Sequence, residues 1–223
     1  MRKRRRRRAA PLRRRNYVVE PQRRLYVFCE GARTEPAYFD AVQQEFDNAQ
    51  ILVEATGVGG VPSTVADEAI RHAKGLRRGM RGRASGRSSF EEADQVWVVF
   101  DQDHHPDVPN VVVRCRDNKV EVAYSNPCFE LWLVLHLEPH DRPAEASDVQ
   151  ARLHALYSAY DHEKSPGPDF SDLLATLAVA EQRASDQAQR RQEEGAPSGN
   201  PSTTVFQLLR AISVAHAEAR RSM

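Results

Sequence analysis

Val96-Trp97-Val98-Val99-Phe100-Asp101-Gln102-Asp103-His104-His105 is the stretch that decides how this chain folds. Five apolar residues in a row, rich in valine, predict a strand buried on both faces. The run stops at two acids spaced i, i+2, followed by paired histidines and Pro106. Ligands of open α/β sheets bind just beyond the carboxyl ends of the strands, so chemistry is expected here. Two carboxylates held close together repel unless a cation neutralises them, which makes a divalent metal their natural partner. An isolated Asp-x-Asp is also an ordinary acidic turn ahead of a helix, and short motifs match by chance. A second acidic strand end earlier in the chain shifts the balance.

That second end is Leu25-Tyr26-Val27-Phe28-Cys29, another buried-strand pattern, which stops at Glu30-Gly31. Thr34 reads as a helix N-cap with Glu35 and Pro36 in the first turn, and Phe39, Val42 and Phe46 give the inward face. Ile51–Ala55 is a short strand. Ser63 opens a helix lined by Ala66, Ala69, Ile70, Ala73 and Leu76. Residues 74–90 then hold Lys74, Arg77, Arg78, Arg81, Arg83 and Arg87 among four glycines, and from 74 to 90 there is no acid. This predicts a mobile cationic loop, either a solvated linker or a flap that grips phosphate over the acidic strand ends. Beyond the central strand, Val108–Cys115 reads as a short helix and Lys119–Tyr124 as a fourth strand. Cys128–Leu137 follows as an apolar helix whose lone acid, Glu130, faces either solvent or the metal region. Helices are expected at about 147–160, 169–193 and 202–221.

Strands alternating with helices imply a mostly parallel four-stranded sheet flanked by helices, with right-handed crossovers and a helical C-terminal part. The chain divides into a basic arm (1–24), an α/β core (25–140) and a helical region (141–223). If the first and third strands are neighbours, Glu30, Asp101 and Asp103 meet at one sheet edge. In outline that is a site for phosphoryl-transfer chemistry with Mg²⁺ or Mn²⁺.

The net charge of +1 conceals an asymmetry. Of 32 Lys and Arg, 12 lie in residues 1–24 against one acid, leaving 20 basic and 30 acidic residues in the body. The arm could grip nucleic-acid phosphates, keep the chain soluble, or dock on an acidic partner. Cys29, Cys115 and Cys128 are odd in number and without paired spacing, which argues against a disulfide framework or zinc knuckle and fits a reducing cytoplasm. Cys29 and Cys128 read as core, as do Trp97 and Trp132. No apolar run approaches the roughly 18 residues of a membrane span.

An acid–Gly dipeptide ending the first strand with Asp-x-Asp after the third resembles the pattern of Toprim domains. More closely, Cys29-Glu30-Gly31-Ala32-Arg33-Thr34-Glu35-Pro36-Ala37-Tyr38-Phe39 resembles the opening motif of the RloB/AbiLii family. Phe100–His104, Ser125-Asn126-Pro127-Cys128-Phe129-Glu130-Leu131-Trp132-Leu133 and Asn200-Pro201-Ser202-Thr203-Thr204 continue the likeness. The resemblance implies a Toprim-like fold and a metal-dependent nuclease effector of antiphage defence, paired with an ABC-like ATPase, RloA. It assigns Glu30, Asp101 and Asp103 to catalysis and metal binding, with Glu30 as general base or ligand. Nucleases of the OLD type add an acid one helical turn after the first Glu; here Glu35 lies five positions on rather than four. Glu130 is a candidate second-metal ligand. Arg77, Arg78, Arg81, Arg83 and His104 are the candidate nucleic-acid contacts. DNA and RNA, tRNA included, both remain open as substrate, as does homo-oligomerisation. Two other classes stay in view, a non-catalytic regulatory subunit of the ATPase and a metal-dependent nucleotide-sugar transferase.

Overall fold

The computed structural model describes residues 23–46, 51–82, 94–102, 105–161 and 169–221, with backbone alone at 80–82. The expectations for the arm before Arg23, for Arg83 and Arg87, and for Asp103 and His104 lie outside the described residues. Five strands form one sheet in the order β2-β1-β3-β4-β5. They are β1 (Arg23–Cys29), β2 (Ile51–Gly57), β3 (Gln95–Asp101), β4 (Glu121–Asn126) and β5 (Ser202–Thr203). The first four run parallel, and β5 pairs antiparallel with the end of β4. The mostly parallel α/β sheet is therefore as expected, with one strand more.

The alternation of side chains along β1 and β3 explains their unbroken apolar character. Leu25, Val27, Cys29, Trp97 and Val99 face one apolar layer; Tyr26, Phe28, Val96, Val98 and Phe100 face another. The second layer is closed by α2 (Pro62–Gly82) and α3 (Val108–Asp117). The first is closed by α1 (Thr34–Phe46), α4 (Glu130–Leu137), α5 (Ala146–Leu156), α6 (Ser171–Leu174), α7 (Leu177–Glu193) and α8 (Val205–Arg221). Ala180, Leu208 and Ile212 of the C-terminal helices join the same apolar cluster as Val27 and Val99. Trp97 and Trp132 are core, and the three cysteines are buried and free. The edge strand β2 has its backbone covered by Gln43 of α1, which donates to Ile51 O and accepts from Val53 N–H.

The helix expected at about 147–160 ends at Leu156, the one expected at 169–193 is divided into α6 and α7, and two further boundaries differ from the sequence reading. Residues 202–204 open not with helix but with β5, where Thr203 Oγ1 lies 2.9 Å from Ser125 Oγ and Tyr124 N–H donates to Thr204 Oγ1. Residues 74–82 are not loop, since α2 continues through them. Gly75 and Gly79 cost the helix stability, but nothing lies within 4 Å of where their Cβ would be, so they face open space. The intervening Leu76, Arg77, Arg78 and Met80 are good helix formers.

The direction of α2 corrects the flap expectation. It leaves the carboxyl edge of the sheet after β2 and returns to the amino edge, where β3 begins. Arg77 donates to Asn118 O at the C-terminal end of α3, 2.8 Å away, and so does not face the acidic strand ends. Arg78 and Arg81 share these last turns of α2, at the opposite edge of the sheet from Asp101. A cation at the orphaned carbonyls of a helix end is a structural device. Arg77→Ala is expected to cost about 1 kcal/mol in denaturant unfolding. It should leave the substrate concentration needed for half-maximal rate unchanged; a rise in that concentration would restore a substrate contact.

Candidate active site

Adjacency of β1 and β3 brings their carboxyl ends together. Glu30 N–H donates to Val99 O at 2.9 Å, locking the first residue after β1 onto β3. The Glu30 side chain answers by accepting the Asp101 N–H at 3.0 Å. The chain then turns through Gly31-Ala32-Arg33 into α1, and Glu35 folds back so that its Oε1 accepts the Gly31 N–H at 2.8 Å. A Cβ on residue 31 would overlap the Glu35 carboxylate. The acid–Gly dipeptide thus has a steric reason: glycine makes the space in which the second acid sits. Gly57, ending β2, is constrained more firmly, because a Cβ there would stand 2.6 Å from the backbone Cα of Ala32.

The fourth acid comes from beyond β4. The chain passes Asn126-Pro127, a cis peptide bond, and enters α4 at Glu130. Glu130 is buried, at the helix end where the dipole favours a negative charge. Its Oε1 accepts the hydroxyl proton of buried Tyr160 at 2.6 Å. Glu30, Glu35, Asp101 and Glu130 line one cleft of about 280 Å³, with Arg33, Phe129 and Gln150 on its walls. Of the two orientations open to Glu130, the structure takes the inward one.

Electrostatics record the crowding. Burial, then the charges of Glu35, Glu130 and Glu30, push Asp101 well above the ordinary carboxylate range, against the pull of a hydrogen bond from Phe129 N–H. Burial raises Glu35 to about 7, with Glu130 and Glu30 adding to it and backbone hydrogen bonds opposing. Burial likewise raises the Cys29 and Cys128 thiols, which rules against either as a ready nucleophile and agrees with their reading as core.

The donor set is all carboxylate oxygen, which matches a hard divalent cation. Among the described residues no three His, Cys, Asp or Glu side chains form a ready-made ion cage, so the acids line the cleft without closing on one point. Two residues that sequence reasoning passed over also belong here. Arg33 is a cation at the mouth of an acidic cleft, signalled only by its place in the turn after Glu30-Gly31. Tyr160 lies four residues past the end of α5, and nothing in its spacing pointed to Glu130. Arg77 and Arg78 do not join the cleft.

The model of the RloB-like protein family matches residues 25–212. The chain belongs to the RloB-like family. No curated protein and no solved structure matches the chain with significance. The family match runs from within β1 into the first half of α8, so it takes in every carboxylate of the cleft and begins where the basic arm ends. Among the described residues no helix of this RloB-like protein is long and apolar enough to cross a membrane.

Proposed function

We propose that this RloB-like protein is a Toprim-like, metal-dependent nuclease that hydrolyses phosphodiester bonds of DNA or RNA. The observation that carries the reading is the convergence of Glu30, Glu35, Asp101 and Glu130 on one cleft at the carboxyl edge of β1 and β3. Four acids that mutually oppose ionisation form a site that a cation relieves. Glu30 and Asp101, joined across adjacent strands, would hold Mg²⁺ or Mn²⁺ with Glu130, and Asp103 follows two residues after Asp101. Such an ion supplies charge neutralisation at the phosphate and acidifies bound water.

The chain's own residues supply the rest. Glu35, held protonated unusually high by burial and by the charges of Glu130 and Glu30, lines the cleft where it can exchange a proton with the attacking water. As water oxygen bonds to phosphorus, the bond to the leaving sugar oxygen breaks, and that oxygen takes up a proton from solvent. Arg33 places positive charge where the phosphoryl oxygens gain negative charge. Tyr160 fixes the rotamer of Glu130 by its hydrogen bond.

A defence role with an ABC-like ATPase of the RloA kind is part of the same proposal, in the cytoplasm. It is tested by sequencing nucleic-acid ends from cells expressing the chain with and without that ATPase. New ends of one substrate class that require Asp101 support it; identical end profiles in both cultures oppose it. One observation favours the non-catalytic alternative. Glu30, Glu35 and Asp101 each accept a backbone N–H, as acids with a purely structural task would. Such a subunit would bind the ATPase unchanged when Asp101 is replaced and would cleave nothing. The nucleotide-sugar reading has no observation in its favour beyond Asp101 itself.

The basic arm enters as a prediction. Arg23 and Arg24 belong to β1, and Arg23 pairs with Glu218 of α8 at 3.0 Å, so a clean deletion ends at residue 22. Removing residues 1–22 should weaken nucleic-acid binding and flatten its salt dependence. The log–log slope should fall by about 0.9 per lost phosphate contact on duplex, or about 0.7 on single strands. An unchanged slope would assign the arm to solubility or to a protein partner.

A further inference from the structure

β4 is a sheet edge for half of its length. β5 covers only its carboxyl end, pairing with Ser125 and Asn126. Thr204 then takes the Tyr124 N–H on its Oγ1 and gives its own N–H to Tyr124 O. Backbone groups along a strand alternate in direction, so Val122 presents the next N–H and C=O on that same outer side. Among the described residues neither meets a strand or a side chain. Such an open edge is a template for another extended chain.

A groove of about 450 Å³ runs beside this stretch, lined by Val112, Arg116, Lys119, Val120, Glu121 and Val122. Val112 and Arg116 lie four apart on one face of α3, and Val120 and Val122 share one face of β4. The floor is therefore valine, with two cations at the end where β4 begins, while Glu121 leaves the other face of the strand. Lys119 is held there at a cost. α3 closes with Lys119 N–H on Arg116 O and Val120 N–H on Cys115 O, and Lys119 takes a φ of 55°. Glycine adopts that conformation freely, whereas a side chain there reduces stability. The helix end does not need the extra charge, since Arg114 and Arg116 occupy its last turn and Arg77 donates to Asn118 O. A strained backbone that carries an exposed cation at the mouth of a groove points to an anion that it meets.

We propose that the open half of the β4 edge docks an extended acidic segment of a partner protein, which adds to the sheet at Val122 and lays its acids on Lys119 and Arg116. The paired donor and acceptor of Val122 favour a polypeptide over a nucleic acid, because an extended chain matches both. One apolar side chain of the segment lies on the valine floor, and an acid two positions away falls on the same face, toward the cations. The inference does not depend on the nuclease reading, since the carboxylate cleft lies at the other end of the strands.

The test is fluorescence anisotropy with the full chain and the labelled peptide Thr-Glu-Thr-Val-Thr-Glu-Thr, whose pattern reads alike in both directions. Replacing both of its Glu residues by Lys should weaken binding roughly tenfold, because attractions become repulsions. Lys119→Gly should weaken binding about threefold while the melting temperature stays the same or rises. Val122→Pro removes an outward N–H and no ladder bond, so it should weaken binding about fivefold in a folded protein. If Val122→Pro does not fold, Arg116→Ala takes its place, with a loss of about threefold expected. Equal binding of the Glu and Lys peptides, or wild-type affinity in Lys119→Gly, would overturn the proposal. A labelled single-stranded oligonucleotide that binds in place of the Glu peptide and weakens in Lys119→Gly would overturn it in favour of a phosphate site. A dimer in sedimentation that Val122→Pro dissociates would overturn it in favour of a second copy of this chain.

Discussion

Asp101→Asn is expected to lower metal-dependent cleavage by at least about a hundredfold, while the metal-free protein stays as stable as wild type or gains slightly. Residues that only orient a metal ligand already cost about 10–100-fold, so an acid placed to touch the cation should cost more. The stability half follows from what Asp101 does in the fold. Its carboxylate accepts the Phe129 N–H and is opposed by Glu35, Glu130 and Glu30. Asparagine retains an acceptor oxygen for that N–H and removes the charge that the neighbours oppose. Thermal unfolding in chelator and cleavage in Mg²⁺ form the pair of measurements. Full activity with reduced metal-free stability would reverse the assignment and make Asp101 a helix-capping acid.

The second large effect is a pH dependence carried by Glu35. It titrates at about 7 in the fold instead of 4.5, chiefly because it is buried. Between those values the folded chain holds a proton that the unfolded chain has released. This contribution to stability is present at low pH and is lost as pH rises through 7. Ionising Glu35 at pH 8 costs roughly 3 kcal/mol. Buried His136, whose Nδ1–H donates to Leu173 O at 2.8 Å and whose Nε2 accepts from the Tyr38 hydroxyl, has its pKa lowered to about 4, chiefly by burial. Its contribution is lost in the opposite direction, as pH falls below 6.5, so the wild-type curve alone mixes two slopes. The difference between Glu35→Gln and wild type removes His136. The variant should be more stable by a few kcal/mol at pH 8 and no more stable at pH 4, with Mg²⁺ narrowing the gap at pH 8. A gap independent of pH would mean that Glu35 is not held against its charge.

The central strands and their acidic ends were legible because both-face burial leaves an unmistakable mark. Leu25–Cys29 and Val96–Phe100 have no polar residue to place on either side, and Glu30 and Asp101 are the first polar residues after them. That these ends meet followed from assuming the strands to be neighbours, and the sheet order bears this out. β5 was not legible because two residues carry no period. Its existence depends on Thr203 and Ser125 finding each other across 78 positions. The end of α2 misled for a different reason. Glycines among arginines look like a linker in composition, but the helix tolerates them where they face open space and where Arg77 fastens its last turns to α3. Glu130 illustrates a limit of periodicity: one acid in an apolar helix fits either face, and only Tyr160, thirty positions away, decides between them.

The most direct test of the metal-nuclease account is one time course of nucleic-acid cleavage by the purified chain. Single-stranded RNA and DNA are incubated in EDTA, Mg²⁺ or Mn²⁺, with wild type beside Asp101→Asn and with the partner ATPase added in parallel. The account requires cleavage of at least one strand type that appears with Mg²⁺ or Mn²⁺, vanishes in EDTA and is lost in Asp101→Asn. Cleavage that persists in EDTA, or that Asp101→Asn performs at the wild-type rate, would contradict it.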